Sequence, residues 1–411
     1  MTILNLTPYC SLYSCRFLKK KLIGKRLNEV LNAVFRALVK QKQSHHLKKI
    51  NPRGQLHIFL FTGPYMTNYD ALIIGAGPGG LACAKILAQN GAKVLVVERK
   101  RVIGPKVCAG GITWDGLIRR VPDNLVERSF PVQHVYSMLQ HGVIREENPI
   151  IATVDRFKLG QWMARDSVDA GVEIMIDTRV IEINRSSVQA IQGKEKKPLT
   201  LGFKNLVGAD GSNSLVRKYL KLPTELVGFG INYQIPGSYE HMEWHLKNDI
   251  FSYGYGWIFP HSDTISIGAY GPKGCLPSKT MHHNLMRWAA DKGFDLTHHR
   301  ARAALVNFDY RGFQFDNIYL VGDAAGLASG LTGEGIYPAI VSGETVAKMI
   351  LDPSHRPDAI KDMVHKQLLH YRVIGLAKRN PLMSGAVMEL LIGLLRLKIL
   401  RFKALEMSTI Q

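Results

Sequence analysis

The chain has 411 residues, 46% of them hydrophobic, and a formal net charge of +20 at pH 7. This length permits a large core and two domains, while no apolar stretch reaches the ~20 residues that a transmembrane helix needs. The positive charge favours anionic partners such as lipid headgroups or diphosphates, and no basic motif of a nucleic-acid-binding module is present, so we expect no nucleic acid among the partners.

Residues 1–65 differ in charge from the rest of the chain. They contain 12 Lys/Arg residues and one acidic residue, so they carry +11 of the total +20. Ten large apolar residues between Leu18 and Val39 recur at helical spacing, with basic residues on the other side. This pattern predicts a basic amphipathic helix for an anionic membrane surface, or a targeting segment. The alternative is a poorly ordered extension, because the fold itself is predicted to begin near Met66.

The five cysteines are scattered without metal-ligand spacing or a disulfide framework: Cys10, Cys15, Cys83, Cys108 and Cys275. Such usage fits a reducing compartment. We therefore expect a cytoplasmic protein with peripheral membrane association, and no metal site.

The stretch Tyr69–Lys100 has the pattern of a dinucleotide-binding strand–turn–helix–strand unit. An apolar run at Ala71–Ile74 predicts a buried parallel strand, and a helix and a second apolar strand follow the turn. Three glycines stand in G-x-G-x-x-G spacing: Gly75, Gly77 and Gly80. They suit a tight turn, close approach of a pyrophosphate and close helix–strand packing. Glu98 ends the second strand, where a carboxylate can bind ribose hydroxyls, and Arg99 beside it joins the predicted cofactor contacts. The motif alone leaves NAD and FAD open.

Two later stretches also predict strand–turn–helix units with Gly/Asp turns. One is Asn205–Ser214, and the other is Ile318–Ile336. An Asp at the carboxyl end of such a strand can bind the hydroxyls of a ribityl chain, and backbone amides of the later loop can meet a flavin carbonyl. The candidate cofactor-binding residues here are Asp210, Gly322, Asp323, Gly333 and Gly335.

Two further candidates lie between these turns. Arg156 begins a predicted helix over Thr153–Ala170 and can reach a cofactor phosphate or the flavin edge; the alternative is a surface charge. Cys108 precedes Gly110 and Gly111, which permit close approach of a ligand. Its thiol either faces a flavin ring or a substrate, or is a small buried residue in a turn.

Aromatic residues alternate at the start of a later strand. Period two places them on one strand face: Tyr253, Tyr255, Trp257 and Phe259. They form either an apolar wall for a long hydrophobic substrate or the packed core of a sheet.

The fingerprint and the V-G-A-D-G and V-G-D-A-A-G segments, in that order, resemble the FAD-dependent oxidoreductases of the p-hydroxybenzoate hydroxylase type. The resemblance covers roughly residues 66–345. It implies FAD as the tightly held cofactor, with Asp323 at the ribityl chain, Glu98 at the adenosine ribose and Arg156 near the flavin. It also implies a substrate sheet interposed between the flavin-binding segments.

Three shorter motifs resemble the geranylgeranyl reductase family. They are Y-x-W-x-F-P at residues 255–260, C-x-G-G at 108–111 and G-E-G-I at 333–336. One departure is that Ala269 and Tyr270 follow Gly268, where the family has G-x-G. The resemblance implies FAD-dependent reduction of C=C bonds in a geranylgeranyl or other polyprenyl chain. It also implies a substrate channel lined by Tyr255, Trp257 and Phe259, and a role for Cys108 in flavin-side positioning or proton delivery.

No second nucleotide fingerprint is present, so an external donor, NADPH or a ferredoxin, is expected to reduce the FAD. Two alternatives remain from the sequence. The first is a flavin-dependent monooxygenase or halogenase of the same fold, since residues 255–260 partly match the halogenase W-x-W-x-I-P motif. The second is a non-catalytic flavoprotein at a membrane surface. Fold alone does not decide among these functions.

The predicted fold class is α/β (α+β overall), with a Rossmann-like FAD-binding domain and an interposed mixed or antiparallel β-sheet domain. The cofactor domain is expected over 66–345, in segments of about 66–170, 200–222 and 312–345, with the substrate sheet over about 223–311. A helical region follows over 346–411. Its apolar stretch Val387–Phe402, interrupted by basic residues, predicts part of a hydrophobic tunnel or a bilayer-facing surface. The alternative is a helix packed on the body with a basic solvent side.

Overall fold

The computed structural model of the chain describes residues 46–50, 56–60, 67–113 and 120–408, the first two ranges as strand backbone only. The chain divides into two units, Met1–Thr67 and Asn68–Gln411. In the first unit, strands β1 (His46–Ile50) and β2 (Leu56–Leu60) pair in antiparallel fashion, a hairpin that the sequence pattern did not predict. The amphipathic helix predicted over residues 18–39 lies outside the described residues.

The second unit alternates strands and helices. The strands are β3 (Thr67–Ile74), β4 (Val94–Val97), β5 (Gly111–Thr113), β6 (Val126–Phe130), β7 (Val132–Tyr136), β8 (His141–Arg145), β9 (Ile151–Val154), β10 (Glu173–Met175), β11 (Thr178–Ile183), β12 (Ser187–Gln192), β13 (Lys197–Gly208), β14 (Val227–Pro236), β15 (Glu243–His245), β16 (Tyr255–Pro260), β17 (Thr264–Pro272), β18 (Arg302–Asn307), β19 (Gln314–Phe315) and β20 (Ile318–Leu320). The helices are α1 (Pro78–Gln89), α2 (Arg156–Asp169), α3 (Leu215–Tyr219), α4 (Asn248–Phe251), α5 (Ser278–Asp291), α6 (Ile336–Leu351), α7 (Asp358–Ala377) and α8 (Pro381–Arg396). Among the described helices, none is both long and apolar enough to cross a bilayer.

The first large sheet has the central order β10-β4-β3-β13-β12-β11, and β20 lies parallel to β13. Strands β10, β4 and β3 are parallel, with Ala71 opposite Val94 and Ile74 opposite Val97. All four residues of β4 are buried, as expected for an inner parallel strand that is covered on both faces. Helix α1 packs on α2 and α6. The carboxyl ends of β3, β13 and β20 therefore bring three separate turns to one edge of this sheet.

The second large sheet has the order β18-β14-β17-β16-β15-β7-β8. Its strand pairs are antiparallel except β15 with β7, which is parallel. One face packs on α5, and the other carries the aromatic side chains of β16. The predicted range of 223–311 is too narrow for this sheet, because β7 and β8 come from 132–145. The pairing of β7 with β15 spans more than 100 residues of sequence, and no local pattern marks it.

Two local predictions need correction. The helix predicted over Thr153–Ala170 is shorter, because β9 continues to Val154 and Asp155 caps α2 by accepting hydrogen bonds from the backbone of Phe157 (2.6 Å) and Lys158 (3.1 Å). Tyr253 was predicted to share a strand face with the aromatic residues that follow it. It lies in the turn before β16 instead, and its ring packs with Cys275 and Met388 in a separate cluster.

Candidate cofactor and substrate site

One cavity of about 710 Å³ is lined by residues from both large sheets. Its volume falls within the range of sites for small molecules and cofactors. All three glycine-bearing turns line one part of the cavity, and the aromatic face of the second sheet lines another. The predicted cofactor residues and the predicted substrate residues therefore share one continuous space.

The glycines of the first turn differ in what a side chain would meet. Gly75 has φ +108°, and an added Cβ would lie 2.7 Å from the carbonyl carbon of Ala209. A Cβ on Gly80 would overlap the carbonyl oxygen of Gly75, so this glycine serves helix–strand packing and does not line the cavity. Gly77 lines the cavity, and its Cβ would meet only the Ala209 oxygen at 3.9 Å. The backbone at Gly77 is thus open to a ligand at the N-terminus of α1, where unpaired amides favour phosphate.

Glu98 lies against the same turn. Its Oε2 accepts a hydrogen bond from the backbone of Ala76 (2.9 Å), and its Oε1 accepts one from the backbone of Lys100 (2.8 Å). These bonds hold the carboxylate at the cavity wall. Arg99 also lines the cavity, but its side chain is exposed at the rim.

The second turn places Asp210 mainly as a helix cap. Its Oδ2 accepts hydrogen bonds from the backbone of Leu215 (2.6 Å) and Val216 (3.4 Å) at the start of α3. Burial raises the pKa of Asp210, against the hydrogen bonds that favour its ionised form. Its Oδ1 is buried without a partner in the described protein. Only Oδ1 is available to a ligand, so the cofactor contact predicted for Asp210 can be made by this one oxygen.

The third turn carries Asp323 at the cavity wall. Its Oδ2 accepts hydrogen bonds from Lys106 Nζ (3.0 Å) and Ser212 Oγ (2.9 Å). Gly322 before it has φ +54°, and its Cβ would lie 2.8 Å from that of Ala339 in α6. Lys106, which the sequence analysis did not single out, therefore joins the loop before Cys108 to the predicted ribityl contact.

Arg156 projects into the cavity with two buried nitrogen atoms, Nε and Nη1, that have no hydrogen-bond partner in the described protein. Buried guanidinium groups normally pair with an anion or an acceptor. The unsatisfied Arg156 donors, the unsatisfied Asp210 acceptor and the open backbone at Gly77 together fit a ligand with both phosphates and hydroxyls. This donor and acceptor set suits FAD.

Three of the four residues predicted for the aromatic face form an aromatic wall on one face of β16. Tyr255, Trp257 and Phe259 are buried and line the cavity. Trp244 of the neighbouring strand extends the wall, with its ring centroid 4.8 Å from that of Phe259. Tyr255 donates a hydrogen bond to the carbonyl oxygen of Thr332, which ties the wall to the third turn. Tyr270, the departure from the family pattern, does the same by donating to the carbonyl oxygen of Gly330 (3.0 Å). Burial raises the pKa of both phenols.

Cys108 is half-buried and lines the cavity. A chain of hydrogen bonds connects its loop to the aromatic wall: Trp257 Nε1 donates to Ser266 Oγ (3.0 Å), Ser266 donates to Asn232 Oδ1 (2.8 Å), and Asn232 Nδ2 donates to the carbonyl oxygen of Cys108 (3.1 Å). Gly110 is required next to it, because φ is +82° and a Cβ would lie 2.8 Å from Nε2 of His261. The thiol therefore sits on a loop that the wall itself positions.

Sequence reasoning named Gly333 and Gly335 but missed the residue between them. Burial raises the pKa of Glu334 to about 7, although the nearby Lys366 charge and a hydrogen bond from the backbone of Met407 (2.8 Å) favour the ionised carboxylate. The carboxyl group lines the cavity and contacts Thr113 Oγ1 at 3.4 Å. The available signal was a carboxylate within the predicted flavin loop.

Comparison with known proteins identifies the family. The pyridine nucleotide-disulphide oxidoreductase family matches residues 69–242. The geranylgeranyl diphosphate reductase of Rhodobacter capsulatus is 30% identical over 312 residues, which cover 68% of this chain and 74% of that protein. The chain belongs to the geranylgeranyl reductase family of FAD-dependent oxidoreductases. Another member, digeranylgeranylglycerophospholipid reductase 2 of Methanosphaera stadtmanae, is 29% identical over 73% of this chain and 83% of its own length.

Solved structures agree on the fold. A geranylgeranyl bacteriochlorophyll reductase-like protein of Thermoplasma acidophilum superposes with a TM-score of 0.70 at 19% identity, covering 83% of this chain and 95% of that one. A flavin-dependent brominase superposes with a TM-score of 0.60 at 17% identity, covering 80% and 95%. The predicted fold class is confirmed. As a member of the geranylgeranyl reductase family, the protein is an FAD-dependent oxidoreductase that acts on C=C bonds.

Proposed function

We propose that this geranylgeranyl reductase family member reduces C=C bonds in the geranylgeranyl or similar polyprenyl chain of a lipid. The observation that carries the proposal is one cavity lined both by the cofactor turns and by a group of apolar side chains, which we call the apolar arm. The arm is lined by side chains from the second sheet and the C-terminal region: Trp244, Leu246, Trp257, Met388, Leu391, Leu395 and Phe402. Aromatic and aliphatic walls of this kind suit a long hydrocarbon chain and exclude water around it.

In this proposal the glycine-bearing turns, Glu98 and Arg156 hold FAD, which when reduced supplies the hydride. The aromatic wall orients the alkene, because an isolated C=C bond is a poor hydride acceptor and needs close positioning. The second alkene carbon also requires a proton. Glu334, with a carboxyl pKa raised to about 7 inside the cavity, gains and loses its proton near neutral pH and so can supply one. Cys108 positions the flavin side of the site through its loop.

The electron donor is proposed to be NADPH or a ferredoxin that visits the FAD. Peripheral association with an anionic membrane is part of the proposal, since a polyprenyl lipid resides in a bilayer. The relatives named as geranylgeranyl reductases support this substrate class, while the brominase shares the fold at an identity too low to support its own chemistry.

The experiment is an anaerobic incubation of the dithionite-reduced holoenzyme with geranylgeranyl lipids. The expected product has gained two hydrogen atoms per reduced bond by mass spectrometry. Product that forms only with oxygen, or only with halide, would favour a monooxygenase or halogenase instead. The same assay with NADPH or reduced ferredoxin in place of dithionite identifies the donor by the rate of FAD reduction.

A further inference from the structure

Helix α8 is apolar on both its inner and its outer face. The inner face carries the buried Met388, Ile392 and Leu395, and Met388 and Leu395 line the cavity. The outer face carries Leu382 and Leu390, which are 86% and 62% exposed. A helix that is apolar all round is normally covered on every side. In the described part of the chain, the outer face of α8 is uncovered.

The exposed residues form one stripe along the helix. Leu382, Ala386 and Leu390 follow each other at intervals of four residues, and Leu397, 72% exposed, continues the stripe just beyond the last turn. Because side chains at this spacing lie one above the other, these residues share a face. The solvent side of the helix is therefore apolar, which differs from the basic solvent side that the sequence left open as an alternative.

The tip of the β7–β8 hairpin extends this surface. Met138 and Leu139 are 54% and 83% exposed. Glu389 of α8 fixes the tip, because its Oε1 accepts a hydrogen bond from the backbone of Leu139 (3.1 Å) and its Oε2 accepts one from Ser137 Oγ (2.8 Å). Leu390 directly follows Glu389. The tip and the helix stripe are thus held together as one apolar surface.

Basic residues border this surface at its C-terminal end. Residues 381–405 contain four basic residues and a single acidic one, Glu389, whose carboxylate is engaged by the hairpin. Arg396, Lys398 and Arg401 are exposed, and the structure gives Lys398 and Arg401 no ion-pair partner among the described residues. Exposed Ile399 lies between these two cations. The exposed leucines match the acyl chains of an anionic bilayer, and the cations beside them match its negatively charged headgroups.

We infer that the outer face of α8, the tip at Met138 and Leu139, and the segment 397–401 together dock on an anionic lipid bilayer. The inference deepens the proposed function, because the other face of the same helix lines the cavity arm proposed for the polyprenyl chain. An α-helix with its side chains is about 10 Å across. The docked bilayer would lie one helix diameter from the cavity, so a membrane-resident substrate has a short path to the site.

A second copy of this chain is the competing occupant of the surface. A symmetric dimer places the same patch against itself, so the cations of both copies would repel one another across one interface, while Glu389, the single acidic residue of 381–405, is already engaged by the hairpin. This repulsion disfavours a dimer and does not oppose an anionic bilayer. Charge complementarity therefore favours the lipid surface.

The test is co-sedimentation of the full-length, FAD-loaded protein with vesicles of phosphatidylcholine alone or mixed with phosphatidylglycerol. Replacement of Leu390 and Leu397 together by Ser should weaken partitioning into the mixed vesicles by about tenfold or more, since each buried leucine contributes substantially to transfer. The matched control replaces Val168 and Ile181, which are 52% and 50% exposed elsewhere, by Ser. Residues 1–65 are the same in all variants, so the difference reports on α8.

A second pair of variants tests the charges. K398E with R401E should remove the preference for anionic vesicles, whereas K194E with K279E, at exposed lysines elsewhere, should keep it. Unchanged binding of the leucine variant would overturn the inference, as would a wild-type dimer that the leucine variant dissociates and that ignores vesicles. Reduction of detergent-solubilised geranylgeranyl lipid and the FAD absorbance spectrum are measured in parallel. If docking fails while the solubilised lipid is still reduced, the proposed function stands; if docking succeeds without reduction, only the function fails.

Discussion

At the scale of single residues, the clearest sign of an absent partner is Arg156. Asp155, directly before it, is engaged in capping α2, so it does not neutralise the guanidinium. Two donors of Arg156 are left unsatisfied in the wall of the cavity. A buried cation with unsatisfied donors fits an anionic or acceptor ligand, and FAD would supply both kinds of group.

Replacing Arg156 with Ala should weaken FAD binding by about tenfold or more, because a hydrogen bond to a charged group is worth roughly 1.5–3 kcal/mol. The measurement is the FAD dissociation constant of the apoprotein by fluorescence. The matched control is Arg165, nine residues further along α2, whose Nε donates a hydrogen bond to the carbonyl oxygen of Gln161. If R156A and R165A bind FAD equally well, Arg156 has no role in holding it.

Glu334 gives a pH-dependent prediction. Its pKa is about 7 in the folded protein and near its ordinary 4.5 when unfolded, so the folded state binds the extra proton between these values. The contribution of Glu334 to the free energy of unfolding is therefore fully present below about pH 4.5. It falls as the pH rises towards about 7 and does not change further at higher pH. The total loss is on the order of 3 kcal/mol.

Glu334→Gln should remove this fall, because Gln keeps the shape without titrating. Thermal unfolding from pH 5 to 8 measures it, and the wild-type and Gln variants should converge at low pH and separate at high pH. Equal slopes for the two proteins would show that the carboxyl group titrates normally.

Trp257 supports both the wall and the loop of Cys108, through Ser266 and Asn232. Trp257→Ala should reduce turnover by more than it reduces FAD retention, whereas Trp257→Phe should keep the wall and lose only the hydrogen bond to Ser266. Rates in the anaerobic assay and FAD content after gel filtration separate the two effects. Equal loss of turnover and FAD in W257A would argue that the residue is part of the general core.

At the scale of helices and strands, two glycines inside helices differ in the space that a side chain would have. Gly343 in α6 faces Gly79 at the start of α1, and a Cβ would lie 3.0 Å from the Gly79 carbonyl carbon and would overlap its oxygen. Gly375 in α7 has nothing within 4 Å of its Cβ. The first glycine permits α1 and α6 to touch backbone to backbone, and the second has no such role.

Gly343→Ala should therefore lower the melting temperature and FAD affinity together, since we propose that the N-terminus of α1 binds the cofactor phosphates. Gly375→Ala should instead stabilise the protein by about 0.5–1 kcal/mol, the helix-propensity difference between Gly and Ala. Differential scanning calorimetry measures both. A neutral G343A would mean that α1 and α6 can separate without cost.

Features that depend on residues near in sequence could be predicted, and features that depend on distant residues could not. The first glycine turn was predictable because part of what it requires is local: Gly75 has positive φ, and a Cβ on Gly80 would overlap the carbonyl oxygen of Gly75, five residues before it. The wall of Tyr255, Trp257 and Phe259 followed from period two. The place of β7 did not, because its partner β15 is more than 100 residues distant. The pKa of Glu334 was hidden for the same reason, since it depends on burial and on Met407, 73 residues further along.

At the scale of the whole molecule, the cavity belongs to no single segment. The cofactor turns come from the first large sheet, the aromatic wall from the second, and the apolar arm from α8 and the residues after it. Helix α7 also holds the segment after α8 in place, because Lys366 donates hydrogen bonds to the carbonyl oxygens of Glu406 and Ser408. In the proposed function, cofactor binding and substrate binding therefore reside on separate elements.

The contact between Gly79 and Gly343 joins residues 264 positions apart. During synthesis on the ribosome, α1 emerges early and must wait for α6 before its neighbour is present. The third glycine turn, at Gly322, also appears late. If these turns hold FAD as proposed, the nascent polypeptide has no complete cofactor site before the third turn and α6 have been synthesised, and cofactor loading then follows that point.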